Sequence, residues 1–228
     1  MSPLPIAGTG LTQLLRLASP MLPVGAYAYS QGMEWAVEDG AIRDEASALA
    51  WIADLLRFNV GTLEAPMWRR LYRAWQEGDG ASARHWNERF IATRETAEFR
   101  SETLQMGGAL RAVLDATREI DTAALDLIAA PAFPTTFSFA AHGLGIPLRE
   151  GLTGYLWAWA ENQVSAAMKL VPLGQSSGQR MLVGLIALLP GIADAALALE
   201  EDGLSNFAPA LAIASSRHET QYTRLFRS

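Results

Sequence analysis

Two sets of residues in the segment Glu161–Arg180, ENQVSAAMKLVPLGQSSGQR, have types and spacings suited to chemistry. Gly174-Gln175-Ser176-Ser177-Gly178 formally matches the G-x-S-x-G elbow that presents a serine nucleophile. Asp194 or Asp202 and then His218 follow in the Ser…Asp…His order of α/β-hydrolases, and the chemistry would be acyl transfer. That elbow requires a preceding strand, a parallel sheet beneath it and an upstream oxyanion loop. Leu170–Leu173 instead contains Pro172 and follows a helical pattern, so a Gly/Ser-rich turn between helices is the better reading. The second set is Glu161, Ser165 and Lys169, which share one row of a helix. Lys169 is the only lysine among 18 basic residues, a compact point charge where every other cation is a guanidinium fork. Such a row contacts a partner, lines a passage or is an ordinary solvated face.

Metal and nucleotide chemistry find little support. His85, His142 and His218 are scattered, and His218-Glu219 lacks the second histidine of a zinc helix because Tyr222 stands there. There is no cysteine and no Walker-type phosphate loop, so no metal, cofactor or catalytic residue is assigned to this chain. Two other stretches have the composition of interfaces. In Ser19–Gly32, Tyr27 and Tyr29 lie between turn residues. In the tail Ser215–Ser228, Arg217, Arg224 and Arg227 alternate with Tyr222, Leu225 and Phe226, the aromatic–arginine mixture of binding hot spots. The same tail pattern also suits a final amphipathic helix packed on its own domain.

The elements that must position these residues are helical. Leu11, Leu14 and Leu15 open a helix ended by Ser19-Pro20. Ile52, Leu56, Val60 and Leu63 mark a second, expected from near Asp44 to a stop before Pro66, and Met67, Leu71 and Trp75 continue to a Gly78-Asp79-Gly80 turn. Ser82–Thr117 reads as two helices or one bent at Gly107-Gly108. Thr136–His142 is a short segment, residues 150–171 form one helix closed by Pro172, and Ser177–Leu189 is apolar all round, the pattern of a helix buried on every side. No alternating β-branched run and no repeat interrupts the series, so the expectation is all-α, one compact domain over residues 1–228 with about eight to ten helices.

Half of the 228 residues are hydrophobic and 18% are charged, with seven Trp, eight Phe and five Tyr, which leaves apolar surface for partners as well as a core. A net charge of −6 without a basic cluster argues against nucleic acid. Pro190-Gly191 and Asp194 interrupt the most apolar run, Met181–Leu199, which argues against a membrane span. The opening MSPLPIAGTG lacks the pattern of a secretory leader, and with no cysteine a cytoplasmic location is expected.

Four segments in register, LLRLASPMLPVGAYAYSQGMEWAVEDG, TRETAEFRSETLQMG, ENQVSAAMKLVPLGQSSGQR and APALAIASSRHETQYTRLFRS, resemble the urease accessory protein UreF family from about Leu14 to the last residue. The resemblance implies a cytoplasmic, homodimeric, non-enzymatic protein. It would bridge a UreD/UreH-type scaffold and a nickel-carrying UreG-type GTPase and assist nickel insertion into apo-urease. It further implies that residues 208–228 are a tail ordered on the scaffold, with Arg217, His218, Glu219, Tyr222, Arg224 and Arg227 binding the partner. Tyr27, Tyr29, Ser30 and Gln31, with Glu161, Ser165, Lys169, Gln175 and Arg180, become candidates for the GTPase and dimer surfaces. Ala97-Glu98-Phe99 departs from the family pattern, where a more polar helix surface is expected. Two alternatives remain: a serine esterase using Ser176, Asp194 and His218, and a helical adaptor unrelated to urease.

Overall fold

A computed structural model describes residues 8–228, so most of the N-terminal segment read for a leader lies outside the described residues. The α-helices are α1 (Gly8–Leu17), α2 (Met33–Glu38), α3 (Glu45–Leu55), α4 (Ala65–Glu77), α5 (Gly80–Ala92), α6 (Ala97–Thr117), α7 (Phe133–Gly143), α8 (Leu148–Leu170), α9 (Gln175–Ile186), α10 (Leu189–Ala198) and α11 (Pro209–His218). Counting α3 with α4, and α9 with α10 across its short turn, as one helix each leaves nine, and no strand occurs among the described residues. The all-α expectation therefore holds.

The chain packs around α8. Leu152, Leu156, Ala160 and Val164 are buried, at the spacing read from the sequence, while Glu150 in the first turn and Lys169 in the last oppose the helix dipole. Helices α1, α2, α3, α4, α7, α9 and α10 all touch α8. Trp68 of α4 lies at the centre, fully buried, stacked on Tyr72 at 5.5 Å and flanked by Phe137 and Tyr155. Each such side chain contributes roughly 1.5–3 kcal/mol of burial, so this aromatic group anchors the fold.

Three helix readings need correction. First, Pro66 does not end a helix. The rod runs from α3 through a π-helical segment, Leu56–Glu64, into α4, and Ala65 donates to the Val60 carbonyl in the wider turn. Proline removes the donor that the Thr62 carbonyl, four residues back, would normally meet. Ser205 supplies it instead, its N–H lying 3.1 Å from that oxygen. Second, α5 and α6 separate at Thr93–Thr96 rather than at Gly107-Gly108, because the Thr96 hydroxyl caps α6 by accepting from the Phe99 N–H. Gly107 marks a close approach rather than a bend. A Cβ there would lie 2.1 Å from the Pro131 oxygen and 2.7 Å from the Ala132 carbonyl carbon.

Third, the segment Ser177–Leu189 is not buried on every side. In α9 only Gly178, Met181 and Leu185 are buried, whereas Val183 is 68% and Ile186 50% exposed. Apolar composition cannot tell which neighbour covers a face, and among the described residues no element covers this one. By length and composition the stretch Gln175–Ala198 could cross a membrane: its most apolar 18 residues have a mean hydropathy of 2.1, and a third of them are buried in the protein. Its helical pattern breaks at Ala187-Leu188, and Arg180–Glu45 and Asp194–Arg149 ion pairs tie both halves to neighbouring helices.

Candidate functional site

The tail docks on its own chain through two acids, the buried Glu34 and the partly buried Glu98. Helix α11 lies on α2, and Gly32 permits this because a Cβ there would sit 2.9 Å from the Ser215 nitrogen. Gly32 also has a φ of +76°, a conformation costly for any other residue. His218, fully buried, bridges Glu98 of α6 (Nδ1 to Oε2, 2.7 Å) and Glu34 of α2 (Nε2 to Oε2, 3.2 Å). Glu34 also accepts the backbone N–H groups of Leu225 and Phe226, at 2.6 and 2.8 Å, and Arg224 donates to Glu98 at 2.6 Å. Glu219 turns the other way, its carboxylate accepting from the Ala97 and Glu98 amides at the start of α6. The apolar Phe99 of the departing Ala97-Glu98-Phe99 segment is buried with Leu55 and Leu211.

The segment Tyr27–Gln31 meets the same tail. Ser30 donates both its N–H and its hydroxyl to the Ser228 oxygen at 2.7 Å, and the Ser228 hydroxyl donates to Glu102 at 2.6 Å. Gln31 donates to the other oxygen of Glu102 and accepts from the Trp159 indole. Tyr29 is buried, its hydroxyl donating to Gln105 at 2.8 Å, and burial raises its pKa. Glu102 is itself buried, and loss of hydration pushes its carboxyl up to about 7 against the lowering effect of these hydrogen bonds. Beside it Glu64 receives Arg94 Nη1 at 2.7 Å and the Tyr155 hydroxyl at 2.9 Å. Burial, then the Glu64 charge, hold that phenol well above its ordinary value.

Lys169 stands at the junction of the two segments. Its ammonium lies 5.5 Å from the Phe226 ring centre and 5.9 Å from that of Tyr27, within reach of a cation–π attraction to both. Glu161 and Ser165, the other members of its row, are half-buried and line a cavity of about 270 Å³ between α8 and the chain from Leu17 to Tyr27. Lys169, Tyr27, Arg217, Tyr222, Arg224 and Arg227 are exposed, whereas Tyr29, Ser30 and His218 are inside the protein. Gln175 and Arg180 belong to a different face. Arg180 forms a two-pronged pair with Glu45, whose carboxyl it holds down to about 2.

The esterase constellation is not assembled. Gly174 precedes α9, which starts at Gln175 and places Ser176 in its exposed first turn, so the match is a helix start rather than an interhelical turn. Asp194 is paired with Arg149 and His218 is held by the two glutamates. Among the described residues no group of three or more His, Asp or Glu is placed to hold a metal ion. Glu34, Glu64, Arg94, Glu102 and Tyr155 are not among the candidate residues, although Glu34, Arg94 and Glu102 lie in the segments that carry the family resemblance. Glu98 and Glu102 also stand four apart on α6 among apolar neighbours.

Comparison with known proteins places this arrangement. The UreF family model matches residues 42–186. The chain is similar to the urease accessory protein UreF of Azoarcus sp. (strain BH72), 55% identical over 96% of this chain and 95% of that protein. It is also similar to that of Dechloromonas aromatica (strain RCB), 53% identical over 96% and 97%, and to that of Methylobacillus flagellatus, 46% identical over 96% and 97%. Matches this extensive, over helices that the sequence and structure independently agree on, show that the chain belongs to the UreF family of urease accessory proteins.

Proposed function

We propose that this chain is a cytoplasmic, non-catalytic organiser of urease maturation. It joins a UreD/UreH-type scaffold and a UreG-type GTPase and assists nickel insertion into apo-urease as a homodimer. One observation supports this reading above others: the surface keeps large apolar side chains facing water, with groups of them on α9 and around the tail. Val183 and Ile186 stand out from α9, and Phe207 (78% exposed), Ile213 and Tyr222 (102%) stand out around the tail. Apolar residues grouped on a face in this way favour association with other proteins. We assign the tail face to the scaffold, the Lys169–Tyr27 corner to the GTPase and the α9 face to the second copy.

The tail face tests this assignment. Tyr222→Ala with Leu225→Ala touches only exposed side chains and is expected to abolish co-purification with the scaffold protein while leaving helical circular dichroism intact. Lys169→Ala should lower nickel-dependent urease activation while costing at most about 1 kcal/mol of stability, the scale of its ring contacts. Wild-type co-purification of the tail variant would remove the scaffold assignment. A Lys169→Ala loss of stability that accounts for its loss of activation would make Lys169 structural.

A further inference from the structure

We infer that the cavity between α8 and the Leu17–Tyr27 segment binds a small organic cation, an ammonium or amidinium on an apolar body, with Glu161 as its counter-ion. The volume of about 270 Å³ lies just below the range of roughly 300–1,000 Å³ for drug-sized pockets, so a small molecule fits. The walls are apolar: Leu22, Val24, Phe99, Met106 and Phe133. They reward a hydrocarbon or aromatic body.

The charge in the cavity is unbalanced. Its lining carries three carboxyl groups, Glu64, Glu102 and Glu161, and one guanidinium, Arg94. Arg94 is committed to Glu64 at 2.7 Å. Glu102 is held by uncharged donors, Gln31 and Ser228. Glu161, half-buried on α8, has neither a hydrogen bond nor an ion pair among the described residues, and burial alone acts on its carboxyl, raising it. A partly desolvated carboxylate without a partner carries an unrelieved cost, and a bound cation would relieve it. The Trp159 indole, also in the lining, adds a ring face on which a cation can rest. The opposite polarity, an organic anion, would meet the carboxylate excess and be repelled.

Isothermal titration calorimetry of the full chain against benzamidine, benzyl alcohol, benzoate and magnesium chloride, at constant ionic strength, separates the contributions. Benzamidine is expected to bind saturably, about fivefold or more tighter than benzyl alcohol, the factor one partly buried ion pair supplies. Benzoate and Mg²⁺ are expected not to bind in the cavity. Glu161→Gln should lose that fivefold preference while its melting temperature does not fall. Ala158→Phe, at the half-buried mouth, should weaken benzamidine and benzyl alcohol together. Absence of saturable benzamidine binding overturns the proposal. Equal affinity for benzamidine and benzoate, an unchanged affinity in Glu161→Gln, or displacement of benzamidine by Mg²⁺ at matched ionic strength overturns it too.

Discussion

At the scale of single residues, the inward-facing acids Glu34, Glu98 and Glu102 explain more of this molecule than its exposed cations do. Glu102 gains its proton more readily in the folded chain than in the unfolded one, its carboxyl raised from 4.5 to about 7 mainly by burial. Folding is therefore favoured by this group at acid pH, and that advantage is lost as pH rises from about 4.5 through about 7. The loss is on the order of 3 kcal/mol. Urea unfolding midpoints followed between about pH 5 and 8 should fall with pH in the wild type, and Glu102→Gln should lack that component. Equal slopes in the two proteins would remove Glu102 as the cause. His218 matters at this scale through its contacts with Glu34 and Glu98. His218→Ala leaves Glu34 and Glu98 facing a void and is expected to cost on the order of 3 kcal/mol. It should also speed tryptic cleavage at Arg224 and Arg227, since His218 ties the tail to both acids. Unchanged unfolding and proteolysis would show that the remaining donors to those acids suffice.

At the scale of elements, adjacent glycines in α6 have opposite duties. Gly107 admits the backbone of Pro131–Phe133, whereas a Cβ on Gly108 would meet nothing within 4 Å. Gly107→Ala must displace backbone, and a loss of about 3 kcal/mol is expected, at the upper end of overpacking effects. Gly108→Ala should instead stabilise by up to about 1 kcal/mol through helix propensity alone. Thermal unfolding of the two single variants checks the contrast. A pair of similar, small shifts would mean that the α6–α7 approach adapts. The spacing of Gly-Gly in a helix suggested a bend, and nothing in it distinguishes a flexible hinge from a contact made across the helix.

At the scale of the whole molecule, the exposed side of α9 is the feature that an isolated chain leaves unexplained. If a second copy covers it, Val183→Asp with Ile186→Lys should convert the protein from dimer to monomer by light scattering. Each side chain is at least half exposed, so the stability of the monomer should change by no more than about 0.5 kcal/mol per site. A variant that remains dimeric would place the second copy elsewhere. The two ion pairs that hold this segment, Arg180–Glu45 and Arg149–Asp194, keep its halves against α3 and α8. The apolar face is thereby presented in a fixed orientation.

The sequence by itself determined the helical class, the span and inner face of α8, the helix start near Asp44, the turn at Gly78-Asp79-Gly80, and the family resemblance. Each of these depends on residues close together in the chain: a period of 3.6, a glycine turn, a motif. Only the tertiary structure decided what those helices meet. It carried the rod past Pro66 by giving the Thr62 carbonyl a donor from Ser205. It left Val183 in solvent, and it turned the tail back so that His218 and Ser228 reach Glu34, Glu98 and Glu102. Those partners lie more than 100 residues away along the chain. Hydrophobic periodicity marks which face a helix buries, but the identity of the group that buries it is a property of packing alone.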